Sequence, residues 1–302
     1  MAEENTELRK SHHIWVNALR WIVAPILLCL LVFLFLPSPY LLCCLLSTVS
    51  LFIFFSRRLE GHFIFFPTPY PEGEWEKEEV EDIDLTAKDG TKIHGWFYRA
   101  EEPKKTLLFF HGNAGNITFR HSWCLKLMQK NFNVLAIDYR GYGKSAGKPT
   151  EAGIYEDAHA AYRYLIDERK VKSTELIVYG KSLGGGPASE IALRLPCAGL
   201  ILQSTFTSIA DMAAFIFPVL PLRWILRTRF DTHEKLKQID VPVLIIHSSD
   251  DELIPAYMAE SNYEACHQGK LKLFSGATHN GLISEKSSQL LELFKAFALV
   301  NN

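Results

Sequence analysis

The stretch YGKSLGGG, residues 179–186, has two incompatible readings, and the choice between them decides the fold. As Gly-Lys-Ser it ends a phosphate-binding loop, with a lysine and a hydroxyl facing a nucleotide. As Gly180-x-Ser182-x-Gly184 it is a strand-to-helix turn that lifts a nucleophilic serine clear of a sheet. A phosphate loop needs a further glycine five positions before the glycine of Gly-Lys-Ser, because its backbone N–H groups wrap the phosphates. For Gly180 that position is Glu175; for the second Gly-Lys-Ser, at 143–145, it is Asp138. Neither residue can replace the glycine. Residues 141–146, GYGKSA, also imitate a dinucleotide fingerprint, but Gly147-Lys148-Pro149 interrupts the helix that should hold a pyrophosphate. No nucleotide site is expected.

The serine reading fits its surroundings. The apolar run ELIVY (175–179) leads straight into the turn, and GGPASEIALRL (185–195) follows with helical spacing. Glycines at 180 and 184 leave room for a strained turn between neighbouring strands. The helix that starts beneath Ser182 places its positive end where negative charge would develop.

The same pattern extends outward. Apolar runs at 106–110, 133–139, 175–180, 199–204, 241–247 and 270–274 alternate with helical stretches at 117–130, 150–169, 184–195, 255–267 and 285–299. Runs apolar at every position suit strands buried on both faces of a parallel sheet. Before them, 78–98 alternates polar and apolar around Lys88-Asp89-Gly90, the mark of a β-hairpin. Thr150 stands where it can cap the second helix. The whole predicts a doubly wound α/β domain over 76–302. The interval between the strands at 199–204 and 241–247 is long and apolar, and it is expected to form a lid at about 207–232, over the sheet's carboxyl edge.

N-terminal to this domain, 21–36 and 41–55 are apolar, flank a Pro37-Ser38-Pro39 break, and belong to a region with no charge between Arg20 and Arg57. A continuous helix of roughly 35 residues would run about 52 Å, well beyond a hydrocarbon core of about 30 Å. The segment 21–58 is therefore expected to anchor the chain in a membrane, by one crossing or by a hairpin, with 1–20 as a tail and 59–75 as a proline-punctuated linker. Positive residues flank it on both sides (Arg9, Lys10 and Arg20; Arg57 and Arg58), so charge does not choose the side of the membrane.

A net charge of −2 over 302 residues excludes the basic bias of a nucleic-acid binder. Cys29, Cys43 and Cys44 sit in the apolar stretch; Cys124, Cys197 and Cys266 are widely spaced, without a CxxC pair. This is neither a disulfide framework nor a zinc site, so no metal is expected.

A serine nucleophile needs a base and an orienting acid. Beyond the strand at 241–247 lie Asp250, Asp251 and Glu252, and beyond 270–274 lies His279. Serine, acid and histidine thus fall in that chain order, on loops at one edge of the sheet. His247, at a strand end, reads as a packed, hydrogen-bonded residue. The turn after 106–110 begins His111-Gly112-Asn113, and the backbone N–H of Asn113 is expected to join that of Leu183 in holding an oxyanion. His111 reads as a brace for this loop. Asn116-Ile117-Thr118 is formally a glycosylation sequon, discounted because a glycan there would obstruct the site.

In order, HGNAGN (111–116), DYRGYGKS (138–145), YGKSLGG (179–185), DELIP (251–255) and GATHN (276–280) resemble the N-terminally anchored serine hydrolases of α/β-hydrolase fold, in their bud-emergence-type branch. The resemblance covers about residues 60–300. It implies that the acid is Asp251 and that Asp138 and Arg140 belong to a structural loop near the site. Ser248-Ser249 departs from the glycine common among relatives.

The expected activity is hydrolysis of a lipophilic carboxylic ester or thioester, a lipid ester or an S-acylated protein, through an acyl-enzyme and without a cofactor. Membrane lipid is the expected neighbour. A catalytically silent membrane scaffold is the rival reading, and a peptidase is weaker because no peptide-end pocket is legible.

Overall fold

The computed structural model describes residues 60–70 and 80–300, with scattered positions between 43 and 54. The tail expected at 1–20, almost all of the anchor expected at 21–58, and 71–79 lie outside the described residues. Among the described residues, no helix is long and apolar enough to cross a membrane.

Eight strands form one sheet: β1 (Glu81–Thr86), β2 (Lys92–Tyr98), β3 (Lys105–Phe110), β4 (Phe132–Ile137), β5 (Leu176–Lys181), β6 (Gly199–Gln203), β7 (Val243–Ser248) and β8 (Gly269–Phe274). Their order is β1-β2-β4-β3-β5-β6-β7-β8. The hairpin β1–β2 and the β2–β4 pair are antiparallel; every pair from β4 to β8 is parallel. The parallel strands are apolar at consecutive positions because the sheet has a core on each face. Leu107 and Phe109 of β3 pack with Val134, Ala136, Ile177 and Tyr179, whereas Leu108 and Phe110 pack on the opposite side with Leu135, Ile137 and Val178. Each such side chain contributes about 1.5–3 kcal/mol by leaving water. At the sheet's edge, β8 instead alternates, with Lys270 and Lys272 interrupting its apolar residues, as an edge open to solvent requires.

From residue 80 onward the α-helices are α1 (His121–Met128), α2 (Glu151–Arg163), α3 (Gly185–Arg194), α4 (Ile209–Ile216), α5 (Leu222–Ile225), α6 (Thr232–Leu236), α7 (Ala256–Glu264), α8 (Gly281–Glu285) and α9 (Ser287–Val300). Thr150 caps α2, its hydroxyl accepting the Gly153 N–H at 3.1 Å. Apolar residues of α2, α3 and α7 cover one face, while α1 and α9 cover the other. The long interval between β6 and β7 holds α4, α5 and α6.

The stretch 59–75, read as a linker from its prolines, is part of the domain's packing over its described residues 60–70. Ile64 and Phe65 are buried in the core, Pro67 pairs with Gly115, and Pro69 pairs with Gly143. Asn113 fastens the strap: its side chain accepts the Phe66 N–H at 3.1 Å and donates to the Ile64 carbonyl at 2.6 Å. One helical turn at 60–64 followed by a stretch held through single bridges is too short a pattern to have a periodicity that reveals it in advance.

Candidate active site

Because β3, β5, β6, β7 and β8 are parallel, the loops that follow them emerge at one edge, and the candidate residues meet there. The turn after β5 is the tightest. Ser182 adopts φ +52°, a left-handed conformation uncommon for a residue with a side chain. The turn closes because 180 and 184 lack side chains. A Cβ on Gly180 would run into the Gly184 carbonyl and Ala188, and one on Gly184 would sit on the Phe110 carbonyl oxygen of the neighbouring strand. Thr205, just past β6, donates its hydroxyl to the Ser182 carbonyl at 2.6 Å and pins the strained residue from the other side.

From Ser182 a row of contacts runs through three loops. Its Oγ lies 3.2 Å from His279 Nε2, and His279 Nδ1 donates to Asp251 Oδ2 at 2.7 Å. A carboxylate only accepts, so this bond sets the tautomer, with Nε2 left to face the serine hydroxyl. Asp251 Oδ1 accepts the N–H groups of Leu253 and Ile254 at 3.0 and 2.8 Å. The Asp251 side chain is fully buried, and burial alone would push its carboxyl up. The hydrogen bond and charge of His279, the Ile254 N–H and nearby His247 outweigh it and hold the group below the usual carboxylate range. Asp250, by contrast, points elsewhere, accepting from the Gly276 N–H at 2.8 Å and the Ser249 hydroxyl at 3.0 Å. Glu252 accepts the His279 backbone N–H at 2.9 Å. Of the three carboxylates in this loop, Asp251 is the one in contact with the imidazole.

Ser248 and Ser249 stitch the acid loop to the histidine loop. Ser248 donates its hydroxyl to the Ala277 carbonyl at 2.6 Å and Ser249 its backbone N–H to the Phe274 carbonyl at 2.7 Å. His247 is wholly buried; Nε2 donates to the Ile254 carbonyl at 2.9 Å and lies 3.4 Å from Asp251 Oδ2. Burial holds its pKa down, and its ring braces the acid loop. Both contacts escape a sequence scan, since they depend on how the loop folds back.

Gly112 lies against the serine: a Cβ at that position would stand 3.4 Å from Ser182 Cβ. His111 is buried, donates from Nδ1 to the Gly112 carbonyl at 2.7 Å, and packs on the Tyr139 ring, whose hydroxyl donates to the His111 carbonyl at 2.7 Å. Behind it Asp138, fully buried, accepts the Ile117 N–H at 2.8 Å and faces His111 Nε2 at 3.5 Å. Burial would raise this carboxyl, but His111 and His94 together hold it down. Arg140 joins Asp157 at 2.8 Å and Asp89 of the β1–β2 turn at 2.7 Å. Ser145, of the second Gly-Lys-Ser, donates to the Asp138 carbonyl at 2.7 Å, a structural use of that motif. Asn116 of the sequon is fully buried, its amide spent on the Thr68 and Pro69 carbonyls.

Lys181, the variable position of the serine motif, is buried, and its ammonium donates to Asn280 Oδ1 at 3.1 Å. It ties the residue before Ser182 to the residue after His279. No local signal marks this contact, because its partners are 99 positions apart.

An imidazole held by a carboxylate, beside a strained serine hydroxyl, can take the hydroxyl's proton as the oxygen attacks an electrophile. Similar proteins share this scaffold. A family model described as serine aminopeptidase, S33, matches residues 101–233. An uncharacterized protein of Mycobacterium tuberculosis is 31% identical over 250 residues, which is 81% of this chain and 88% of that protein. Protein bem46 of Schizosaccharomyces pombe is 33% identical over 237 residues, 71% of this chain and 78% of its own. The esterase Pf2001 of Pyrococcus furiosus superposes with a TM-score of 0.63 at 22% identity, covering 77% of this chain and 96% of the esterase, a likeness of fold. With its mostly parallel eight-stranded sheet and relatives matched over most of their length, the chain belongs to the α/β-hydrolase family, among relatives of the bem46 type.

Proposed function

We propose that this hydrolase is a membrane-anchored serine esterase or thioesterase working through an acyl-enzyme. The observation that carries the proposal is the continuous row Asp251–His279–Ser182, at 2.7 and 3.2 Å, ending on a serine with left-handed backbone. In this mechanism Ser182 Oγ attacks the acyl carbonyl while His279 Nε2 takes its proton. The imidazolium is stabilised by Asp251 and returns the proton to the departing alcohol or thiol. Water, activated by the same imidazole, then releases the acid. The N–H of Leu183, at the start of the helical turn, and that of Asn113 hold the oxyanion. The Asn113 side chain is occupied by the 60–70 strap and by Tyr142, which leaves its backbone for that task.

Support for a lipophilic acyl group comes from the uncharged stretch between Arg20 and Arg57 and from the apolar segment 208–230. An aminopeptidase would need a free carboxylate near Ser182 to hold the substrate's ammonium group. The two carboxylates bonded to His279, Asp251 and Glu252, are already committed to it, which favours an ester over a peptide. The test is covalent labelling with a fluorophosphonate probe. Wild type labels and Ser182→Ala does not; an unlabelled, folded wild type or a labelled alanine variant refutes the nucleophile.

A further inference from the structure

The chemistry at Ser182 leaves one surface unexplained. The tip of the β6–β7 insertion presents bare apolar side chains: Val219 is 91% exposed, Trp224 85%, and Phe215 and Ile216 about half. Leaving such a group in water forfeits the gain from burying it. The tip does not fray from a loose base. Four consecutive backbone N–H groups, from Arg227 to Phe230, are held by two carboxylates: Glu60 accepts from Arg227 and Thr228, and Glu151 from Arg229 and Phe230. Phe230 is fully buried, edge-on to Phe65 and Tyr155. At the other end Ser208 caps α4 by accepting the Asp211 N–H at 3.0 Å. A fixed stalk thus presents an apolar tip.

Where the chain enters the domain suggests what covers this tip. Glu60 lies two positions after Arg58, which with Arg57 closes the uncharged stretch, and it is bonded directly to the stalk. The described domain therefore begins, at Glu60, beside the insertion. The described positions Leu46 and Leu51 are themselves more than half exposed, so they are not buried against it. Cations accompany the apolar tip: Arg223, paired to Asp211 yet 60% exposed, and exposed Arg227. Tryptophan beside arginine is the composition that settles at the headgroup level of a bilayer, the ring at the acyl boundary and the guanidinium at phosphate.

We infer that the insertion tip, Phe215, Ile216, Val219 and Trp224, docks into an anionic phospholipid surface, with Arg223 and Arg227 meeting its phosphates. Docking turns the carboxyl edge of the sheet, and Ser182 with it, toward the membrane. The inference rests on the membrane-anchorage part of the proposed function and is independent of the nucleophile.

The experiment uses the full chain in vesicles of phosphatidylcholine and phosphatidylserine with brominated acyl chains. Trp224 is one of six tryptophans, and the difference between wild type and Trp224→Phe isolates its emission. The Trp224 component should fall roughly twofold or more relative to unbrominated vesicles, as for a ring at the acyl boundary. It should recover when phosphatidylserine is omitted or when Arg223→Gln and Arg227→Gln are combined. Circular dichroism of each variant verifies its fold, and co-flotation with vesicles reads anchorage separately. A Trp224 component insensitive to bromine overturns the inference, whether the tip stays bare or is covered by residues 21–55 or a second copy. Quenching that is equal in phosphatidylcholine alone overturns the anionic assignment. No substrate is involved, so these outcomes are distinct from failure of the probe to label Ser182.

Discussion

The turn at 179–186 and the insertion tip at 215–224 lie at the ends of adjacent strands and obey opposite rules. In the turn, every residue except Ser182 is buried, and neighbouring backbone stands where the Gly180 and Gly184 side chains would be. In the tip, Val219 and Trp224 touch little of the protein that carries them. The turn's composition is dictated by the fold; the tip's composition is dictated by whatever lies outside it. A residue that looks replaceable on paper, Lys181, proves enclosed, whereas one that looks like core, Trp224, proves bare.

Substitutions can break this comparison. The largest effect is expected at the acid. Asp251→Asn removes the acceptor that orients His279 and should lower turnover of a water-soluble ester by about 10²–10⁴-fold. Asp250→Asn keeps an oxygen for the Gly276 N–H and should stay within about threefold. Equal losses would mean that the site tolerates a swap and is less rigid than the contacts imply. Next in size is the turn itself. Gly184→Ala forces a methyl group onto the Phe110 carbonyl and should destabilise the protein by about 2–4 kcal/mol, read as a lowered thermal midpoint or loss of soluble folded protein. Smallest is the tip: Val219→Ser in detergent solution should change stability, read from the same midpoint, by no more than about 0.5 kcal/mol. If the serine variant lost as much as Gly184→Ala, the tip would be packed and the contrast would disappear.

Much of the fold is legible in the sequence. The parallel strands announce themselves because both faces are covered, so 107–110 of β3, 134–137 of β4, 176–179 of β5 and 243–246 of β7 are unbroken apolar runs. The insertion was legible as an apolar excess too long for a crossover. The strap at 60–70 was not, since Pro67 and Pro69 make single bridges and the decisive partners, Asn113 and Asn116, lie more than 40 residues away. The choice among Asp250, Asp251 and Glu252 rested on resemblance in the sequence and on a 2.7 Å contact in the structure.

By itself the sequence determined the element order, the edge at which serine, acid and histidine would gather, and the need for glycine on both sides of Ser182. These follow from local rules: runs of burial, chain order and the space around a tight turn. Tertiary structure alone decided that Lys181 is tied to Asn280, that Glu252 meets the His279 backbone, that Glu60 and Glu151 hold the stalk, and that Trp224 is left in the open. Each of these depends on where a loop or side chain comes to rest against segments distant in the chain, and no local pattern of residue types encodes that position.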